Sequence, residues 1–322
     1  MKKFFYINPY YWIVKFRNFL YAKDFISSYK AGVSVISIGN ISMGGTGKTS
    51  IVRWFIENFA HRLNLGILLR GYKRKTKGLI CVMEKYKIKA SLEEAGDEAF
   101  LLAFYAQKKG YPVYIVVDKN RVRGTQFLEK ECKVDLIILD DGFQHLKLKR
   151  DLDIVLLKKK DLNASLFPFG RLREPLSALK RSSAILLTYQ EVAPFEFAFE
   201  NKPVFKVWRK HWKVWRQDLS SFLSQKELKN LSFIAFSGLG DNSQFLEIVK
   251  KLKLNIEEYF SFSDHYHYKN FKLNPQKNYL TTLKDSVKLP FSPNVYVLDF
   301  SVEIENFKKF IENFLKYEKL KR

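Results

Sequence analysis

The sequence has little acid, almost no cysteine and no long apolar run. Its 33 Asp and Glu stand against 56 Lys and Arg in 322 residues, a net charge of +23. A deficit of that size points to an anionic partner: nucleic acid, a charged membrane surface or a phosphorylated substrate. The two cysteines, Cys81 and Cys132, lie far apart without metal or redox spacing. A disulfide scaffold is therefore excluded, a reducing compartment is the simple expectation, and each thiol reads as a small buried hydrophobe. No stretch of eighteen apolar residues occurs, so no membrane-spanning helix is expected. After Met1-Lys2-Lys3 the apolar run stops at Asn8-Pro9 with no small-residue cleavage site. The N-terminus is thus expected to be retained and the protein to stay in the cytoplasm.

Aromatic residues, by contrast, crowd residues 1–30: Phe4, Phe5, Tyr6, Tyr10, Tyr11, Trp12, Phe16, Phe19, Tyr21, Phe25 and Tyr29, mixed with Lys2, Lys3, Lys15, Arg17, Lys23 and Lys30. Pro9 suits the first turn of a helix, and Trp12, Phe16, Phe19 and Leu20 then share one side of it. Such a stripe fits either a membrane interface or packing against the protein's own core. Beyond it, apolar strands and helices alternate: strands at 33–38, 65–69, 113–117, 134–139, 154–157 and 184–187, helices at 50–60, 92–106 and 121–130. Apolar runs buried on both faces and separated by helices predict an α/β fold with a mostly parallel sheet. The composition changes near Pro203. Residues 204–215 alternate aromatic and basic side chains as an extended link or hairpin, and a second, smaller β/α series follows with a strand at 233–236, a helix at 242–252, strands at 256–260 and 295–298 and a closing helix at 305–317. This reading divides the chain into an interfacial segment 1–30, a nucleotide-binding domain 31–205 and a smaller α/β domain 206–322.

The first strand runs into Ser42-Met43-Gly44-Gly45-Thr46-Gly47-Lys48-Thr49 and then a helix. Glycines let successive amides turn inward around a phosphate, a helix N-terminus faces the anion, a lysine reaches the β/γ oxygens and a hydroxyl takes magnesium. This is a P-loop, with Ser42 where the leading glycine usually stands, and it implies ATP and Mg2+. The strand at 134–139 ends in Asp140-Asp141-Gly142-Phe143-Gln144-His145. Carboxylates at the carboxyl end of a parallel strand stand where a P-loop needs a metal-side acid.

A GTPase should show Asn-Lys-x-Asp late in the sheet, and Lys158-Lys159-Lys160-Asp161 lacks the asparagine. A partitioning-type ATPase should carry lysine where Met43 stands. A basic ATPase acting on nucleic acid remains the bland rival, but no zinc-finger, RNA-recognition or helix-turn-helix signature appears, so no nucleic acid is expected. The P-loop and Asp140–His145, with Arg70-Gly71-Tyr72, Ala95-Gly96-Asp97-Glu98, Val117-Asp118, Arg121 to Gly124, Leu172-Arg173-Glu174-Pro175 and Ser263-Asp264-His265-Tyr266 in order, resemble the tetraacyldisaccharide 4′-kinase family of lipid A biosynthesis.

The resemblance implies a P-loop kinase that phosphorylates an acylated glucosamine disaccharide 1-phosphate. It implies Asp97 as general base with His265 hydrogen-bonded to it, His265 being preferred to His267 because it directly follows Asp264. Asp140, Asp141 and Thr49 would serve the magnesium with support from Glu174. Gln144 and His145 would lie near the γ-phosphate or acceptor, and Arg173 would steady phosphate oxygens. An anionic lipid headgroup accounts for the charge excess and an anionic leaflet for the aromatic N-terminus. The protein is expected to act as a monomer, peripheral on the cytoplasmic face of the inner membrane.

Overall fold

The structure is a computed structural model that describes residues 8–320; Lys2, Lys3, Phe4, Phe5 and Tyr6 of the aromatic segment lie outside the described residues. Helix α1 (Pro9–Ala22) opens as its sequence suggests: Asn8 caps it by accepting from the Tyr10 amide, and Pro9 stands in the first turn. Val14 is its one fully buried apolar side chain, and Tyr10 and Tyr11 pack partly against the core. Ile13, Phe16, Phe19 and Phe25 face outward.

Strands β1 (Ser34–Asn40), β2 (Leu65–Leu69), β5 (Val113–Val117), β6 (Leu136–Asp140), β7 (Leu152–Leu157) and β8 (Ala184–Leu187) form a parallel array in the order β8-β7-β1-β6-β2-β5. Every one of their residues is buried, because helices cover both faces, and this explains their unbroken apolar runs. An antiparallel edge hairpin, β3 (Ile80–Lys85) and β4 (Lys87–Ile88), closes one side.

The stretch read as a link or hairpin is one strand, β9 (Val204–Arg216). Its first residues pair parallel with β8, and the rest pair antiparallel with β13 (Val295–Ile304). The strands β12 (Tyr279–Thr282), β10 (Ser232–Ser237) and β11 (Asn255–Ser261) continue parallel to β13, so that among the described residues thirteen strands make a single sheet. The composition change near residue 205 thus falls at the start of a strand shared by both halves.

Because Val207 sits opposite Ile304 while Lys206 sits opposite Leu187, β13 ends beside the end of β8. The carboxyl ends of the two oppositely directed arrays therefore face each other. Ligands bind at such ends in open α/β sheets, and here two sets of loops meet in one cleft.

Candidate active site

The β1–α2 loop begins at Ile41 and ends at Gly47, whose φ of +87° lets the chain turn into α2 (Lys48–Phe59). The buried Asn40 amide donates to the Thr46 hydroxyl at 2.9 Å, tying the ends of the loop together. Two cations brace its outer side. Lys158 Nζ donates to the Gly45 carbonyl at 3.0 Å, and Arg171 Nη2 donates to the Met43 carbonyl at 2.8 Å. Both depend on the fully buried Asp161, which accepts from the Lys158 amide and faces Arg171 Nε at 3.5 Å. With the carbonyls of Met43 and Gly45 turned toward these cations and the Met43 amide donating to the Arg171 carbonyl, the amides from Gly44 onward are left to face an anion.

Lys48 lies 3.3 Å from Asp141, which also receives Arg173 at 3.0 Å and 3.2 Å. Burial works against the Asp141 charge, but Lys48 and Arg173 outweigh it and hold the carboxyl below its usual range. One carboxylate thus stores the two cations that bound phosphates would claim. Asp140, at the end of β6, is buried with Oδ1 unpartnered, and burial together with Glu98 pushes its carboxyl up despite Lys48. A buried carboxylate oxygen with no partner at this strand end fits a divalent cation completed by phosphate oxygens and water. Among the described residues no group of three or more His, Cys, Asp or Glu forms a dedicated metal cage.

Glu174, expected on the metal side, has its oxygens taken by Arg181 at 2.9 Å and 3.1 Å, Asn18 of α1 at 2.8 Å and Gln144 at 3.1 Å. It ties α1 to the core, and of the three carboxylates expected on the metal side Asp140 is the one with an unpartnered oxygen. Gln144 also donates to the Asn40 carbonyl at 2.8 Å, so its position is set from the P-loop side. Burial lowers the His145 pKa to about 4, helped by Arg121, Arg150, Lys147 and Arg70, so its imidazole is neutral and lies in a strongly cationic neighbourhood. Ser42 is fully buried and bridges to Leu172, which makes it part of the loop's frame.

The expected continuous helix over 92–106 is broken. Gly96, whose φ of +83° and ψ of 157° are not helical, separates α3 (Leu92–Ala95) from α4 (Asp97–Lys109), and glycine is required there because a Cβ would approach the Tyr72 carbonyl oxygen to 2.9 Å. The break puts Asp97 at the first position of α4. Its Oδ2 lies 2.9 Å from His265 Nδ1, across 168 residues of chain. His267 is exposed and takes no part.

Lys288, with a 1% exposed side chain, reaches the same Oδ2 at 3.3 Å and Asp285 at 3.4 Å. Burial raises the Asp97 pKa, but the His265 hydrogen bond and the Lys288 ammonium prevail and bring it to about 2. Oδ1 carries no hydrogen bond among the described residues. A Cβ at Gly240, in the turn after β10, would lie 3.6 Å from Asp264 Oδ2 and 4.0 Å from the Gly45 nitrogen. That turn sets the His265 loop against the P-loop.

The sequence reading did not single out Lys288, Lys158, Asp161 or Arg171 as site residues. Only Lys158 and Asp161 left a signal: the basic run closed by an aspartate just after β7.

A family profile described as tetraacyldisaccharide-1-P 4′-kinase matches residues 8–317. The chain belongs to that family. The tetraacyldisaccharide 4′-kinase of Aquifex aeolicus is 46% identical over 298 residues, covering 92% of each chain. Kinases of the same name from Chlorobaculum parvum and Halothermothrix orenii are 36% and 30% identical, covering 79% and 91% of this chain and 72% and 86% of their own. A crystal structure of the "apo" form of LpxK from Aquifex aeolicus in complex with ATP superposes with a TM-score of 0.87 at 45% identity, covering 95% of this chain and 96% of that one. Membership in the 4′-kinase family agrees with the P-loop, the acidic strand end and the likeness of the whole fold.

Proposed function

We propose that the chain transfers the γ-phosphoryl group of ATP to the 4′-hydroxyl of a tetraacylated glucosamine disaccharide 1-phosphate, the lipid A precursor to which the family owes its name. The observation that carries this reading is the meeting of Asp97 and His265 at 2.9 Å in the cleft that also holds the P-loop. A kinase must orient and deprotonate an acceptor hydroxyl, and a carboxylate fixed by a histidine is suited to that task.

In the proposed mechanism Lys48 and the loop amides hold the β- and γ-phosphates, and Arg173 leaves Asp141 for the γ-oxygens. Asp140 and the Thr49 hydroxyl would hold Mg2+, which when bound would neutralise phosphate charge. The acceptor oxygen forms a bond to the γ-phosphorus while the bond to the bridging oxygen of ADP breaks, and the acceptor proton passes to Asp97 Oδ1. An acid with a pKa of about 2 cannot remove that proton in the ground state. It receives the proton late, once bonding to phosphorus has made the sugar oxygen acidic, which suits a loose transition state. His265 fixes the carboxylate by occupying Oδ2.

The outward aromatic face of α1 and its exposed Lys15 support contact with an anionic leaflet, and we infer a peripheral monomer on the cytoplasmic face of the inner membrane. Purified protein with ATP, Mg2+ and the disaccharide lipid should form the 4′-phosphorylated product. Lys48→Ala and Asp97→Ala should each abolish it, Asp97→Ala with nucleotide binding nearly intact. ATP turnover that responds to duplex DNA or RNA and ignores the lipid would overturn the assignment.

A further inference from the structure

Residues 165–174 form a closed loop whose two ends do different things. At its base the Phe167 amide donates to the Leu172 carbonyl at 2.8 Å, and the Leu172 amide donates to the Ser165 carbonyl at 3.0 Å. Gly170 packs so closely on the Ser165 backbone that a Cβ there would collide with it. The loop is therefore held by its own backbone, yet its tip turns apolar rings to the solvent: Phe169 is 81% exposed and Phe167 43%. Phe169 is thus held outward by a fixed backbone, and its meaning depends on whether it joins a larger apolar patch.

Two contacts show what lies beside it. The Asn8 side chain, at the cap of α1, donates through Nδ2 to the Phe167 carbonyl at 2.8 Å, and the Tyr10 ring meets the Phe167 ring edge-on at 5.5 Å. The tip thus adjoins the helix whose outer face carries Trp12, Ile13, Phe16 and Phe19 with Lys15. Apolar rings flanked by cations, in a chain of net charge +23, complement an anionic bilayer interface better than another protein surface.

The stem of the loop is joined to the nucleotide site. The Met43 amide donates to the Arg171 carbonyl at 2.8 Å, the Arg173 amide donates to the Ile41 carbonyl at 2.7 Å, and Ser42 bridges Leu172. We propose that the Phe167–Phe169 tip is a second bilayer-contacting element, seated beside α1 and joined through its stem to the phosphate loop. The proposal rests on the membrane reading of α1.

The test is sedimentation of the full chain with vesicles of phosphatidylglycerol and phosphatidylethanolamine, comparing wild type, Phe16→Ser, Phe169→Ser and the double variant. Each single change should lower the partition coefficient about tenfold, the scale set by burying one aromatic side chain. The double variant should lose more than either, and ATP affinity without vesicles should be unchanged in Phe169→Ser. Loss with Phe16→Ser but none with Phe169→Ser overturns the tip and leaves α1 standing. No sedimentation of the wild type overturns both. A raised KM of Phe169→Ser for a short-chain soluble acceptor, with vesicle binding unchanged, would make the tip an acyl-chain contact and overturn its bilayer role.

Discussion

Exchanging Lys158 for arginine separates the charge that braces the phosphate loop from every other group that titrates nearby. Lys158 donates to the Gly45 carbonyl at 3.0 Å, beside the Tyr189 hydroxyl at 3.4 Å from the same oxygen. Burial lowers its pKa from 10.5 to about 8; Asp161 opposes the shift, and Arg171, Lys160 and Lys48 add to it. Because the folded value lies below the unfolded one, the native state binds fewer protons between about pH 8 and 10.5, and folding stability gains from this group as pH rises through that window.

Nucleotide binding should respond in the opposite sense. Phosphates arriving beside Lys48 favour the ammonium, so above pH 8 each ATP bound takes up a proton at Lys158. Linkage of one proton limits the loss of affinity to a factor of about ten per pH unit, and the ammonium fraction falls about tenfold between pH 7 and 9. The dissociation constant for ATP, measured by calorimetry in buffers of different ionisation enthalpy, should therefore weaken about tenfold over that range. Asp140, whose carboxyl is also pushed up, ionises along the way. The informative quantity is thus the difference from Lys158→Arg, whose guanidinium stays charged throughout. Equal pH dependence in the two proteins would refute the argument.

Gly96→Ala should cost about 1–3 kcal/mol in denaturant unfolding, because φ +83° is unfavourable for alanine and the Cβ meets the Tyr72 carbonyl. It should also lower kcat by moving Asp97, and an unchanged kcat would show that the break in the helix does not set the base. Arg53 on α2 pairs with the buried Asp299 on β13 at 2.6 Å and donates to the Phe300 carbonyl. Arg53→Met should lower stability by about 3–5 kcal/mol by leaving that carboxylate uncompensated, and a denaturation midpoint within error of wild type would exclude this.

The parts legible in the sequence are those whose signal is local. The strands at 65–69, 113–117 and 184–187 are apolar from end to end because helices cover both their faces, and the helix at 121–130 is bounded by Asn120, whose side chain accepts from the Arg123 amide. The P-loop is legible because its glycines have a steric reason to be there. The hairpin at 80–88 escaped because an edge strand is half exposed and its residues, from Cys81 to Lys85, follow neither period. The strand β12 has only four residues, too few to show one. Residues 204–215 carried a correct extended signal, but nothing in that segment states that both of its edges are paired, one in each direction.

The same distinction runs through the site. Lys48, Thr49, Asp140 and Asp141 stand next to the glycines or strand ends that give them meaning. Asp97 and His265 reached the argument only through resemblance, since either alone reads as a helix-start acid or a structural histidine. Lys288 could not reach it at all: it acts on Asp97 because α8 (Leu283–Ser286) packs near α4, and a lysine two residues beyond a one-turn helix has no local signature. Yet the low basicity of Asp97 depends on it. With His265 and Lys288 both on Oδ2, the carboxylate stays charged and immobile, and Oδ1 is the oxygen left for an acceptor. A stronger base would be protonated more readily between turnovers. A weak base fixed in place accepts a proton only from an oxygen that phosphorus has already made acidic, so at Asp97 bonding to phosphorus comes first and the proton follows.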